Sequence, residues 1–234
     1  MPARAHTPHG SPMPVMIPSD GINLHGDLQI PDVPVGLVIF VHGSGSSRFS
    51  PRNRKVATDL NKKHLATLLL DLLTDEEQRI DAETMELRFD IPLLASRCTQ
   101  VVRWARKQPE LKVLPIGLFG ASTGAAAALI TAAELDRDVA ALVSRGGRTD
   151  LAEDALEKVK APALFIVGGE DTQVLELNRD SLRRMHGPNQ LHIVPGATHL
   201  FEERGALEEV SRVAATWFVE QLSRAGEPGL KAAS

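Results

Sequence analysis

The chain has 234 residues, 43% of them apolar and 24% charged, with a formal net charge of −4. That length suits one α/β domain with a substantial buried core. Mild acidity without a basic stripe argues against a nucleic-acid partner, and apolar runs of strand length only, such as Val35–Val41, argue against a membrane-spanning helix.

Residues 1–14 carry prolines, histidines and a glycine but no apolar h-region, so a disordered tail is expected there, not a signal peptide. The domain is expected over 15–225, with a flexible tail at 226–234. Residues 15–17 and 22–30 alternate as a first hairpin with Asp20-Gly21 as its turn. Val35–Val41 reads as a strand buried on both faces, broken by the small-residue loop His42–Ser47. A helix over Arg52–Lys63 and a buried strand over Leu65–Leu73 follow. The acidic stretch 74–90 lacks periodicity and reads as a surface excursion; the run Asp75–Glu77 is a solvated face whose loop could border a pocket. Residues 91–107 place Leu94, Cys98, Val101, Val102 and Ala105 on one helical stripe, which makes Cys98 inert packing.

The stretch 113–128 (VLPIGLFGASTGAAAA) is strand, sharp turn and helix, with Ser122 at the apex of Gly120-Ala121-Ser122-Thr123-Gly124. In such a G-x-S-x-G elbow the serine is lifted above the sheet. The glycines are needed because a Cβ two residues either side would strike backbone. The remaining elements are a strand at 139–143, a turn at 145–148, a short helix near 151–159, and a strand at 162–167 closed by Gly168–Asp171. A helix around 174–186, a last strand at 191–194 and a closing helix over 206–223 complete the chain. Alternating strands and helices predict an α/β class with a mainly parallel sheet covered on both faces. The short 139–167 interval leaves no room for a large cap domain.

Ligands of open α/β sheets bind beyond the carboxyl ends of the strands. A serine hydroxyl needs a base within reach. His199, after the last strand, is the candidate base and Asp171, after the preceding one, its carboxylate partner. The order Ser122, Asp171, His199 is that of the α/β-hydrolase triad. The backbone N–H of Thr123 and that of Ser44 are the expected oxyanion donors, with Gly43 beside them for close approach to substrate. Arg145 could hold a substrate carboxylate, or pair with Asp150 or Glu170 instead. Arg48, Arg52 and Arg54 are expected as a solvated rim, and Asp71 as a helix cap or solvated group more than a substrate contact. Histidine spacing argues against a metal site, and a single cysteine excludes an intrachain disulfide.

HGSGSSR at 42–48, GASTG at 120–124, SRGGR at 144–148, GGED at 168–171 and GATHLF at 196–201 resemble the dienelactone hydrolase branch of the α/β-hydrolases. The resemblance spans about 15–223. It implies a capless serine hydrolase with the triad above and no cofactor. Dienelactone hydrolases use a cysteine nucleophile where this chain has Ser122, so the general acyl-hydrolase chemistry carries over and the dienelactone substrate does not. The expectation is a cytoplasmic esterase acting on a small acyl ester, with a homo-oligomer left open. A thioesterase, lactonase, peptidase or acyltransferase could run on the same triad, and a non-catalytic binding protein is the rival outside enzymes.

Overall fold

A computed structural model describes residues 11–227. Eight strands form one sheet in the order β1-β2-β4-β3-β5-β6-β7-β8. They are β1 (Met13–Ser19), β2 (Ile22–Gln29), β3 (Gly36–Val41), β4 (Leu65–Leu70), β5 (Ile116–Ala121), β6 (Ala141–Arg145), β7 (Ala163–Gly168) and β8 (Asn189–Val194). Among the described residues β2 alone runs against the direction of the other strands; all pairs from β4 through β8 are parallel. Among the described residues the α-helices are α1 (Pro51–Asn61), α2 (Asp75–Thr84), α3 (Ile91–Ala105), α4 (Thr123–Leu135), α5 (Thr172–Arg184) and α6 (Ala206–Gly226), and the short helix expected near 151–159 is a 3-10 helix over Thr149–Lys158. This is the α/β-hydrolase fold, with no large cap domain among the described residues.

Continuous apolar runs explain the sheet. All six residues of β3, β4, β5 and β7 are buried, as parallel strands covered on both faces require. Side chains alternate between two cores. On one face Leu37, Ile39, Leu68 and Leu118 pack with Cys98 and Val101 of α3 and Ala127 of α4. On the other, Val38, Phe40, Phe119 and Val143 meet Val56 of α1 and Trp217 and Phe218 of α6. The rings of Phe40 and Phe119, on adjacent strands, lie 4.8 Å apart and tilted by 32°, a contact worth about 0.5–1.5 kcal/mol beyond burial. Burial pushes the Cys98 thiol up to about 12, consistent with inert packing.

Several boundaries shift. Residues 13 and 14, expected in the tail, belong to β1, because each pairs with β2 in a seven-residue ladder; residues 1–10 and 228–234 lie outside the described region, and α6 runs three residues beyond 223. The turn Asp20-Gly21 has φ of 43° and 82°, the left-handed pair a two-residue hairpin demands. β4 ends at Leu70, and β6 extends to Arg145.

The acidic stretch 74–90 is corrected most. It contains α2, which carries almost no apolar stripe and buries only Asp81. End chemistry holds it instead. Thr74 accepts from the Glu77 N–H while Glu77 accepts from the Thr74 N–H, a capping box. Three acidic residues occupy the positive N-terminal turn. Met85 closes the helix in the left-handed conformation.

Candidate active site

Ser122 stands between β5 and α4 with φ 50° and ψ −122°, a strained conformation that projects its side chain past the sheet edge. A Cβ at Gly120 would come 2.8 Å from the Ala125 nitrogen, and one at Gly124 would strike the carbonyl oxygens of Val41 and His42. The elbow therefore needs both glycines to let α4 cross close over β3 and β5. The Ser122 N–H donates to the Arg145 carbonyl at 3.2 Å, and its carbonyl accepts from the Arg148 N–H at 3.0 Å. The strained residue is thus pinned from both sides by the turn after β6.

Asp171 follows β7 and His199 follows β8, on adjacent parallel strands. Their side chains meet: His199 Nδ1 and Asp171 Oδ2 are 2.7 Å apart. The His199 ring also lies against Gly146, with Cε1 and Nδ1 each 3.4 Å from where a Cβ would stand. So the turn that pins Ser122 also abuts the imidazole. Among the described residues no hydrogen bond joins Ser122 Oγ to His199, a bond often loose before substrate binds.

The loop after β3 closes over the elbow. A Cβ at Gly43 would sit 2.9 Å from Ser122 Cβ, so backbone and nucleophile are in close approach. His42 orients this loop, a role its sequence position alone did not suggest. Its Nε2 accepts the Leu72 N–H at 3.0 Å; the ring proton is therefore on Nδ1, which donates to the Gly43 carbonyl at 2.9 Å. Burial pushes the His42 imidazole below its usual value, against the raising influence of the Gly43 carbonyl and the Asp71 charge. It stays neutral at neutral pH.

A cavity of about 260 Å³ opens beside this loop, lined by residues 42–47 with Leu73, Gln78, Ala82, Arg88 and Leu94. The first part of the acidic stretch does border a pocket, through Gln78 and Asp81. Asp81 is 3% exposed and accepts from the Arg88 N–H at 2.9 Å and from Arg88 Nε at 2.7 Å. Glu77 is not merely a solvated face, since it holds Arg97. A larger groove of about 610 Å³ between α1 and α6, lined by Lys55, Asp59, Ser211 and Arg212 among others, holds no triad residue.

Three further expectations change. Asp71 neither caps a helix nor faces solvent: it is 2% exposed and accepts the Arg48 N–H at 2.7 Å as well as the Arg48 guanidinium. Arg48 is consequently a half-buried tie between loops, whereas Arg52 and Arg54 do line the surface, bonded to Glu202 and Asp27 at 3.0 and 3.3 Å. Arg145 pairs with neither expected carboxylate, because Asp150 is taken by Arg148 at 2.9 and 2.8 Å. Arg145 Nη2 instead donates to Asn53 Oδ1 of α1, 3.5 Å away.

Among the described residues no group of three or more His, Cys, Asp and Glu side chains is placed to hold a metal ion. Nor is any helix long and apolar enough to cross a membrane.

The model of the dienelactone hydrolase family matches residues 54–222. A crystal structure of dienelactone hydrolase from Anabaena variabilis is 50% identical, with a TM-score of 0.90, over 92% of this chain and 99% of that one. Est1E from Butyrivibrio proteoclasticus, 19% identical, shares the fold with a TM-score of 0.76 over 90% of this chain and 99% of its own. Among curated proteins, a relative from Mycobacterium tuberculosis H37Rv named "Putative phosphoribosyl transferase" is 52% identical over 215 residues. This chain spans about half the length of that relative, 48%, while 92% of the chain is matched.

Proposed function

Since the chain belongs to the dienelactone hydrolase family, we propose that this hydrolase cleaves small acyl esters through Ser122, His199 and Asp171. The observation that carries the reading is the 2.7 Å contact between His199 Nδ1 and Asp171 Oδ2, made at the same turn that pins the strained Ser122. A carboxylate bonded to one imidazole nitrogen leaves the other, Nε2, free to act as base.

In this reading Ser122 Oγ attacks the ester carbonyl while His199 Nε2 takes its proton. Collapse of the tetrahedral intermediate expels the alcohol, protonated by the same imidazole, and leaves an acyl-serine. Water activated by His199 then releases the acid and restores the hydroxyl. The negative oxygen of each intermediate would meet two N–H donors. Thr123 N–H opens α4, where the helix dipole adds positive potential. Ser44 N–H is the second. It shares a trans peptide with the Gly43 carbonyl, so the two point in opposite directions. That carbonyl is held by His42 Nδ1–H and by the Ser46 N–H at 3.2 Å, which supports an N–H aimed the other way, into the site.

The cavity of about 260 Å³ beside the Ser44 loop is below the usual range of ligand pockets, roughly 300–1,000 Å³, and in this reading it takes a short acyl group. Phosphoribosyl transfer, the activity in the mycobacterial relative's name, displaces pyrophosphate at a sugar carbon. A serine elbow with a histidine base does not serve that step.

Hydrolysis of p-nitrophenyl esters of graded acyl length, together with fluorophosphonate labelling, tests the reading. Short-chain turnover and labelling that both vanish in Ser122→Ala are expected. An unlabelled wild type inert on every ester and thioester would instead favour a binding protein.

A further inference from the structure

Arg145 is 8% exposed, yet no carboxylate bonds it among the described residues. The guanidinium's one hydrogen bond there is the 3.5 Å contact from Nη2 to Asn53 Oδ1, at the long limit of such bonds. The Phe201 ring centroid lies 5.9 Å from its Cζ, the outer edge of a cation–π contact. Nε is buried with no partner at all. Burial and then the nearby charge of Arg52 push its pKa down to about 10, so the guanidinium is still charged at neutral pH. An uncompensated buried cation is costly to keep.

Arg52 is half-buried at the same corner and shares one feature with Arg145. Its Nη1 donates to Glu202 Oε1 at 3.0 Å, while its Nε is buried and unpartnered. The two guanidinia converge on the Phe201–Glu202 corner, one from β6 and the other from the first turn of α1. That turn is also the positive end of the helix dipole. Glu202 compensates Arg52 from the exposed side, and the spare donors of the two guanidinia would gain from a further anion between them.

The corner is next to the triad. Arg145 pairs across the sheet with Ala121 and its carbonyl holds the Ser122 N–H. Phe201, at φ 56°, is two residues beyond His199. That backbone adjacency is what would let one substrate reach both this corner and Ser122.

We propose that Arg145 and Arg52 form an anion subsite beside the triad that takes a phosphate group of the substrate. Two guanidinia and a helix N-terminus match a dianion better than a monoanion, and three phosphate oxygens can each take a separate N–H. Assigning the phosphate to a substrate rests on the hydrolase reading above; binding of the anion does not.

Two arms test it. In the first, thermal unfolding is followed in inorganic phosphate against chloride and acetate at equal ionic strength. Phosphate should raise the wild-type Tm by about 2–4 °C beyond the controls. Arg145→Met should lose that response while keeping or raising the Tm in chloride, because it removes an unpaired buried charge. A merely structural arginine would show the opposite, a lowered Tm in chloride. Should Arg145→Met not fold, Arg52→Gln gives the same reading by a reduced phosphate response. Equal shifts in all three salts, or a full response in the variants, would overturn the subsite.

In the second arm, kcat/KM is compared for 4-acetoxyphenyl phosphate, 4-acetoxybenzoate and phenyl acetate. The phosphate ester should lead phenyl acetate by about 10–100-fold, a charge-assisted contact's worth, and Arg145→Met should erase the lead. Equal values, or a lead held by the carboxylate ester, would overturn the phosphate assignment. A wild type inert on all three esters but stabilised by phosphate would refute the esterase reading and leave the anion site standing.

Discussion

His199 reaches Asp171 across two adjacent parallel strands, with Nδ1 2.7 Å from Oδ2, although the residues are 28 positions apart in the chain. In the proposed mechanism that contact would leave Nε2 as the imidazole nitrogen available to Ser122. Asp171→Asn keeps the shape but offers an amide, which can favour the wrong tautomer. We expect kcat to fall by about 10³–10⁴ with little change in KM. Steady-state kinetics on a short acyl ester checks this, with circular dichroism to establish that the fold is retained. A variant within threefold of wild type would remove Asp171 from the machinery.

His42 acts on the backbone, not on substrate. His42→Ala deletes the Nδ1–H that grips the Gly43 carbonyl and the Nε2 that accepts from Leu72. With the Gly43–Ser44 peptide free to rotate, the Ser44 N–H should be lost to the oxyanion. The expected cost is about 10²–10³ in kcat with KM nearly unchanged, as for deletion of one oxyanion donor. Fluorophosphonate labelling of Ser122 should slow in parallel, since the phosphonylation transition state uses the same donors. His42→Gln, able to donate to the carbonyl, should recover part of the rate.

The elbow, the central strands and the placement of Ser122, Asp171 and His199 at strand ends were legible because each is written locally. An apolar run, two glycines around a serine and polar residues at strand ends need no knowledge of distant chain. The helix α2 was not legible, because only Asp81 of its residues is buried and its stability comes from Thr74 and Glu77 capping each other. Periodicity carries no trace of that. Asp71 and the carboxylate pairing offered for Arg145 were misjudged for another reason. The two residues' partners, Arg48 and Asn53, lie 23 and 92 residues away, and charge alone does not say which loop will fold over which.

The Asp71–Arg48 tie illustrates what such a distant contact contributes. Asp71 is 2% exposed and accepts both the backbone N–H and the guanidinium of Arg48, joining the end of β4 to the oxyanion loop. Asp71→Ala leaves Arg48 half-buried without its partner and should destabilise by about 3 kcal/mol. Urea unfolding would register this as a lower midpoint with an unchanged m-value. The double variant Asp71→Ala/Arg48→Met should regain part of the loss, because no charge is then stranded.

Acid should reveal the second tie of that kind. Glu77 is partly desolvated, which opposes ionisation. The bonds it accepts from Arg97 and from the Thr74 backbone outweigh that burial, so its carboxyl lies below the usual glutamate value. A carboxyl whose folded pKa is depressed adds stability above its unfolded pKa of about 4.3 and loses it as pH falls through the lower, folded value. Glu77→Gln should therefore unfold at a lower temperature than wild type at pH 7. The gap should begin to close as pH drops below about 5 and vanish once the wild-type carboxyl is protonated in both states. Thermal melts at half-unit steps from pH 7 downward follow that gap. A difference that stayed constant with pH would mean that Glu77 contributes through the shape of the α2 cap alone, and that its charge on Arg97 adds nothing to the fold.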